Sequence, residues 1–319
     1  MHAARRVVEK FRVRGMMRIR YRENRRNTGF DRNADQAMRM AKGKFIHLVS
    51  DEELYDANAL AIFIEWLGCG ACDCIYVNHH VLPGVSGDEI AVFERRPMSI
   101  IEHPKIYRSM FCLSSVIVSK KTFDSFLAKH DISKFYDTFF VFDPIYLFAL
   151  RTCKRMKAYP DGYCTMPNIA YKAHLPHDYA KTFDYCFLKM ALACVEEGIL
   201  EPEDFKRFKY RILVPQILRG MLLYRTYIYP KIYSLESHKT EEYYSEIQRM
   251  LSLGWLGNAL FWAWRRLVYS RLPFHLLYRM HYGIRRMIFH DAEMIDRFAM
   301  YEDMLSGEGK KYEVGMDRK

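Results

Sequence analysis

Apolar and polar positions along the chain follow two regimes, divided near residue 177. Before it, short apolar runs of strand length alternate with stretches of helical periodicity; after it, helical periodicity continues alone. Residues 3 to 12 read as a short basic helix that Gly15 breaks, and "MMRIRYR" alternates apolar and basic residues as an edge strand does. In "NTGFDRNADQAMRMAKGKFIHLVSDEELY", Asn33 can cap a helix from about Ala34 to Lys42. Gly43 then stands where a left-handed C-terminal cap is wanted, and "KFIHLV" predicts a strand buried on both faces.

A helix is expected from Asp56 to Leu67, followed by strands near 74 to 81 and 89 to 94 around the turn "PGVSGD". "FCLSSVIVSKKTFDSFLAK" reads as a strand feeding a helix. "FDPIYLFALRTC" starts another helix, with Asp143 as N-cap and Pro144 at the first helical position. "MKAYPDGYCTMPNIAY" reads as strand and loop. The strand, helix, strand order is that of an α/β fold. Beyond it, "DYAKTFDYCFLKMALACVEEG" predicts a helix ending at Gly198, and Pro202 opens the next. The expected organisation is an α/β domain over 1–175 and a mostly α-helical C-terminal region over 176–319, with the boundary near 175 to 200.

At 319 residues and 50% hydrophobic, the chain can bury a sizeable core. A formal charge of +11 points to anionic partners: nucleic acid, phosphorylated small molecules or an acidic membrane surface. The basic N-terminus has no uninterrupted apolar stretch of signal-peptide type, so a cytoplasmic chain is expected. Charges interrupt every apolar run before it reaches the roughly 18 residues of a membrane span. Eight cysteines in this setting read as reduced thiols. Cys69, Cys72 and Cys74, with His79 and His80 nearby, have spacings that would suit zinc, and the plainer reading is small thiols buried as hydrophobes.

The densest chemistry lies just past the end of "KFIHLV", where Asp51, Glu52 and Glu53 follow after Ser50. Ligands of α/β sheets bind at the carboxyl ends of strands, and neighbouring carboxylates repel unless a cation or a helix N-terminus compensates them. A hard divalent ion, Mg²⁺ or Mn²⁺, bridging to a substrate phosphate would do so. Alternatively the acids begin the next helix, where negative charge suits the macrodipole. Arg32, beside a glycine turn at a helix N-terminus, is placed to meet phosphate.

Residues 21 to 60 as a set resemble glycosyltransferase family 2, nucleotide-sugar transferases of GT-A (Rossmann-like) fold, and especially their abequosyltransferase-like branch. The matching residues are Asn27, Gly29 and Asn33 of an N-x-G-x-x-x-N turn, Ala41, Gly43 and Phe45 of an A-x-G-x-[YF] helix end, and the cluster Ser50, Asp51, Glu52 and Glu53. The resemblance implies donor binding at Asn27, Gly29, Arg32, Asn33 and Asp51, and metal binding at Asp51, Glu52 and Glu53. "MFCLSSVIVSKKTFD" and "FVFDPIYLFAL" are similar to later family segments, the second to an E-D-x-x-L helix start whose Asp is the usual catalytic base. This points to Asp143 for that role, with a plain helix cap as the alternative. A carboxylate that accepts the acceptor hydroxyl's proton, and a metal that neutralises the departing diphosphate, would supply the chemistry.

Three departures bear on this. Ser50 stands where the family's D-x-D begins, Glu52 where it ends, and Phe142 replaces the Glu of E-D. Glutamate's extra methylene displaces an oxygen that octahedral Mg²⁺ wants closely placed, so weak metal affinity is expected. The family also has a strand, helix and strand ahead of the segment matching residue 1. The resemblance therefore implies that a portion encoded upstream completes the nucleotide pocket, and that residues 1 to 319 alone bind donor weakly.

Residues 254 to 290 interleave Trp255, Trp262 and Trp264 with Arg265, Arg266, Arg271, Arg279, Arg285 and Arg286. This suits a helix at a membrane interface, a buried helical subdomain with an Arg-rich outer face or, less well, RNA binding by stacking. The sequence thus predicts a glycosyltransferase that moves a sugar from a nucleotide-sugar donor to a polysaccharide or lipid-linked acceptor in cell-surface glycan synthesis. It would be peripheral at the inner face of the cell membrane. An inactive membrane-peripheral or scaffolding remnant of such an enzyme is the alternative.

Overall fold

The structure, a computed structural model, describes residues 3–15, 18–50, 54–55, 57–70, 72–77, 93–94, 113–159, 164–165, 180–226 and 239–268, with 270, 272, 276–277, 279–281 and 283. It is a mixed α/β arrangement, mostly helical, around a small mixed sheet. Helix α1 spans Ala3–Val13 and α2 Phe30–Met40. Strand β1 is Phe45–His47, β2 Leu54–Tyr55, and α3 Ala57–Gly68. Strands β3 (Cys74–Val77), β4 (Phe93–Glu94) and β5 (Val116–Ser119) precede α4 (Lys120–Lys129). Helix α5 (Asp143–Thr152) leads to β6 (Arg155–Tyr159) and β7 (Cys164–Thr165).

The sheet runs in the order β1-β5-β3-β6-β4, and β2 and β7 form a separate antiparallel ribbon. Among the described strands only β3 and β6 pair in parallel; the other neighbours are antiparallel. Val118 faces Ile46 on one side and Cys74 on the other. Alternation sorts the side chains into two cores. Cys74, Tyr76, Val116 and Val118 join the larger one, and Ile75, Val77 and Ile117 pack with Ala59 and Phe63 of α3. The central strands are therefore buried on both faces. β1 is an edge strand of three residues with only Ile46 buried, where "KFIHLV" had predicted a longer strand covered on both faces. Short edge strands limit unwanted pairing.

Several predicted elements shift. "MMRIRYR" forms no strand over its described residues 18–22, because an extended segment without a neighbour has no ladder to join. Helix α2 starts at Phe30, four residues before the predicted Ala34, and ends before Ala41, so Gly43 is not a left-handed cap. Asp143 is the first residue of α5 and not its cap; Phe142 takes the cap position and no side chain caps the helix. The turn "PGVSGD" lies outside the described residues.

The helical region opens with a π segment, Ala180–Cys186, that runs into α6 (Phe187–Glu196), and Gly198 ends it with φ 68°. Helix α7 (Pro202–Phe208), a second π segment (Lys209–Leu213) and α8 (Val214–Thr226) replace the single helix expected there. The wide turn falls just ahead of Pro215, which has no N–H to give the ladder. Helices α9 (Lys239–Leu251) and α10 (Gly254–Val268) follow. One hydrophobic cluster runs from Ala34 to Leu277 and so links the sheet's inner face, α5 and these helices. Phe187 touches Phe140 edge-on at 5.2 Å between ring centroids, and Trp264 donates to the Leu218 carbonyl at 3.1 Å. Tyr244 donates to the buried Asp184 carboxylate at 3.0 Å, and a side chain at Gly220 would collide with that carboxylate.

Candidate functional site

The turn before α2 is built by its own polar side chains. The Asn27 side-chain Oδ1 accepts the Gly29 N–H at 2.9 Å, a turn of the kind asparagine favours. Gly29 then adopts φ 81° and ψ 166°, a conformation open essentially to glycine, and becomes the N-cap of α2. Asn24 ties the turn down: its amide donates to Asn33 Oδ1 at 3.1 Å and to Thr28 Oγ1 at 3.3 Å, and its oxygen accepts from Gln36 at 3.1 Å. Asn33 therefore braces the turn from inside the helix and does not cap it.

No side chain caps the start of α2, so its first N–H groups face the turn unsatisfied. There Asn24, Arg26, Asn27, Thr28, Gly29, Phe30 and Asn33 line a cavity of about 350 Å³. The predicted residues Asn27, Gly29 and Asn33 are thus brought together, and Arg26 and Asn24 are additions that the sequence reading missed. A second cavity of about 690 Å³, which shares Asn33, is lined by Arg18, Arg20, Arg22 and Lys42. Free N–H groups, a helix dipole and arginine together favour an anion with several oxygens.

Arg32 is placed otherwise. Its guanidinium makes two bonds to the Asp137 carboxylate, at 2.9 and 3.3 Å, and lies 4.8 Å from the centre of the Tyr136 ring. Arg32 and Asp137 stabilise each other's charges, with the Arg32 pKa raised and that of Asp137 lowered. It is outside the lining of both cavities.

The inward face of α2 carries Asp31, Ala34, Asp35 and Met38 at helical spacing, two of them acids. Each acid has a partner from the segment leading into α5. Asp31 accepts backbone N–H groups from Thr138 and Phe139 at 2.9 Å and from Val141 at 3.1 Å. Burial pushes its carboxyl up, and the N–H groups of Phe139, Val141, Thr138 and Asp137 pull it down without cancelling that rise. Tyr136 donates to Asp35 at 2.7 Å, and Arg39 donates to the same carboxylate at 2.9 Å. Burial first, then the Asp35 bond, hold the Tyr136 phenol at about 12. Phe30 packs edge-on against Phe142 at 6.3 Å. The two segments singled out in the sequence, the turn and the start of α5, are therefore neighbours, joined chiefly through Asp31 and Asp35, which the sequence reading left out.

Asp143 itself is 3% exposed, within a run from Phe140 to Leu150 that is buried throughout. Its Oδ1 has no hydrogen-bond partner, and burial raises its pKa well above the ordinary 3.8. Burial thus favours the protonated form of this carboxyl and keeps it from solvent.

Asp51, Glu52 and Glu53 lie outside the described residues, as do His79, His80, Arg271, Arg285 and Arg286. Among the described residues no three His, Cys, Asp or Glu side chains form a metal-binding group. Cys69 is exposed, whereas Cys72 and Cys74 are buried in different hydrophobic clusters, and burial pushes the Cys72 thiol to about 11.

No protein-family model and no curated protein matches the chain. A comparison with solved structures finds the crystal structure of S. aureus TarS 1–349, at a TM-score of 0.41 and 11% identity, over 89% of this chain and 80% of that one. That likeness is too slight to assign a function.

Proposed function

We propose that the chain is a glycosyltransferase that takes a sugar from a nucleotide-sugar donor to a polysaccharide or lipid-linked acceptor. The observation that carries this reading is the uncapped start of α2, where Asn24, Arg26, Asn27 and Asn33 surround unsatisfied N–H groups. Such a cavity fits a diphosphate, and the family 2 resemblance supplies the sugar nucleotide. The donor contacts are Asn27, Gly29 and Asn33 with Arg26. Arg32 contributes indirectly, by clamping Asp137 and so holding the approach to α5.

Asp51, Glu52 and Glu53 are the residues that would hold Mg²⁺ or Mn²⁺, and the ion would neutralise charge on the leaving nucleoside diphosphate. Asp143 is the base once the segment before α5 opens to admit the acceptor hydroxyl and solvent, which relieves the burial that otherwise favours its protonated form. The burial of Asp143 also favours a second reading, an inactive remnant that keeps the fold and a membrane-peripheral or scaffolding role.

Release of nucleoside diphosphate from a panel of nucleotide-sugars with Mn²⁺ separates the two. Turnover that is lost in Asp143→Asn supports the enzyme. Donor binding without turnover, identical in parent and variant, supports the remnant.

A further inference from the structure

Helix α10 has two apolar faces, and among the described residues only one of them packs into the core. Phe261, Trp264 and Val268 are buried in the large core, and the Trp264 bond to Leu218 fixes the helix in that orientation. The opposite face is turned to solvent: Trp255 is 83% exposed, Trp262 54%, Leu256 55% and Leu260 62%. Trp255, Ala259, Trp262, Ala263 and Arg266 follow at i, i+4, i+7, i+8 and i+11, one continuous stripe. A solvated helix would carry polar residues there. The helix contains no acid, and its charges are Arg265 and Arg266.

We propose that this outward face of α10 docks in the interface of an anionic lipid membrane. Tryptophan rings prefer the headgroup level, leucine side chains enter the acyl boundary, and arginine pairs with lipid phosphate. The Arg266 guanidinium lies 5.2 Å from the centre of the Trp262 ring, so cation and aromatic surface are presented together. Exposed Leu276 and Met280, beside exposed Arg279, continue the same character beyond the helix. Fifteen residues give a rod of about 22 Å, short of the roughly 30 Å hydrocarbon core. Among the described residues no helix is long and apolar enough to cross a membrane. The helix therefore lies along the surface. A second copy is a poorer occupant, since the contact would join two faces whose only charges are arginine, between chains that each carry +11. The proposal stands independently of sugar transfer.

The test is co-sedimentation of the full chain with vesicles of phosphatidylcholine alone and of phosphatidylcholine with phosphatidylglycerol. The anionic vesicles are expected to bind it at low salt, with binding falling as salt rises and tryptophan emission shifting to the blue. Trp255→Ser with Trp262→Ser should cut binding at least tenfold, by about the burial of two aromatic side chains. An unchanged urea midpoint would show that the variant still folds. No binding of the parent at low salt would overturn the proposal. So would equal binding by the variant, which would move the contact elsewhere, for example to the exposed Val7, Phe11 and Val13 of α1. A dimer, or a complex with single-stranded RNA, that the double substitution abolishes while no vesicle binds would equally overturn it.

Discussion

The Asp31 carboxylate accepts the Thr138 N–H at 2.9 Å across 107 residues of sequence, and that bond joins the first turn of α2 to the approach of α5. Phe139 and Val141 add two more N–H groups to the same carboxylate, and Arg32 pairs with Asp137 alongside. Removing the acceptor leaves three backbone donors stranded in a buried setting. Asp31→Ala should destabilise the chain by about 3 kcal/mol or more, at roughly 1–3 kcal/mol for each unsatisfied group. Urea denaturation measures it, and a loss below about 1 kcal/mol would mean that the segment finds other acceptors.

Gly29 carries the turn through its backbone alone, since a side chain there would meet open space. Gly29→Ala should therefore act through strain, costing about 1–3 kcal/mol at φ 81° or forcing the turn to rearrange. Nucleoside-diphosphate binding should weaken with it. Alanine at 29 with unaltered stability and unaltered binding would contradict the role of this turn.

Asp143 gives a pH signature. Its folded-state pKa is raised, so the folded chain binds that proton more tightly than the unfolded chain does, and this contribution to stability is lost as pH rises from about 4 through the folded value. Asp143→Asn removes the loss and should be more stable than the parent at pH 7.5 and similar at pH 4. Asp31, also raised, keeps part of the slope in the variant. Denaturation curves at the two pH values decide it; a variant less stable at pH 7.5 would mean that the carboxylate is charged and paired.

For the acids after β1, Asp51→Ala is expected to abolish the Mn²⁺ dependence of nucleotide-sugar binding. Titration with and without the ion reads this directly. Unchanged dependence would return the cluster to the start of a helix.

The sequence was most legible where patterning was strong. The β5 to α4 passage, α3 and α6 stand close to their predicted places, since apolar periodicity reports burial. The turn was legible because its glycine and asparagines have local geometric duties. Asp31 is not legible in the sequence because the expected helix begins at Ala34 behind an Asn33 cap, which leaves an acid of the first turn in a supposed loop, and its partners lie more than a hundred residues away. Asp143 was read as a cap although it is the sole acid in the apolar run "FFVFDPIYLFAL", and that isolation was itself a sign of burial. Arg32 could be placed near the turn by sequence, but its choice of Asp137 depends on long-range packing.

The central claim is that the start of α2 holds a nucleoside diphosphate. Thermal shift of the full chain against a panel of nucleoside diphosphates and their sugars, with Mn²⁺, tests it, with Asn27→Ala and Arg26→Ala measured in parallel. The account predicts that at least one nucleotide raises the melting temperature of the parent, and that both substitutions remove most of the rise while the unliganded chains melt within a few degrees of each other. A panel without any shift, or a shift that both substitutions leave intact, would contradict it.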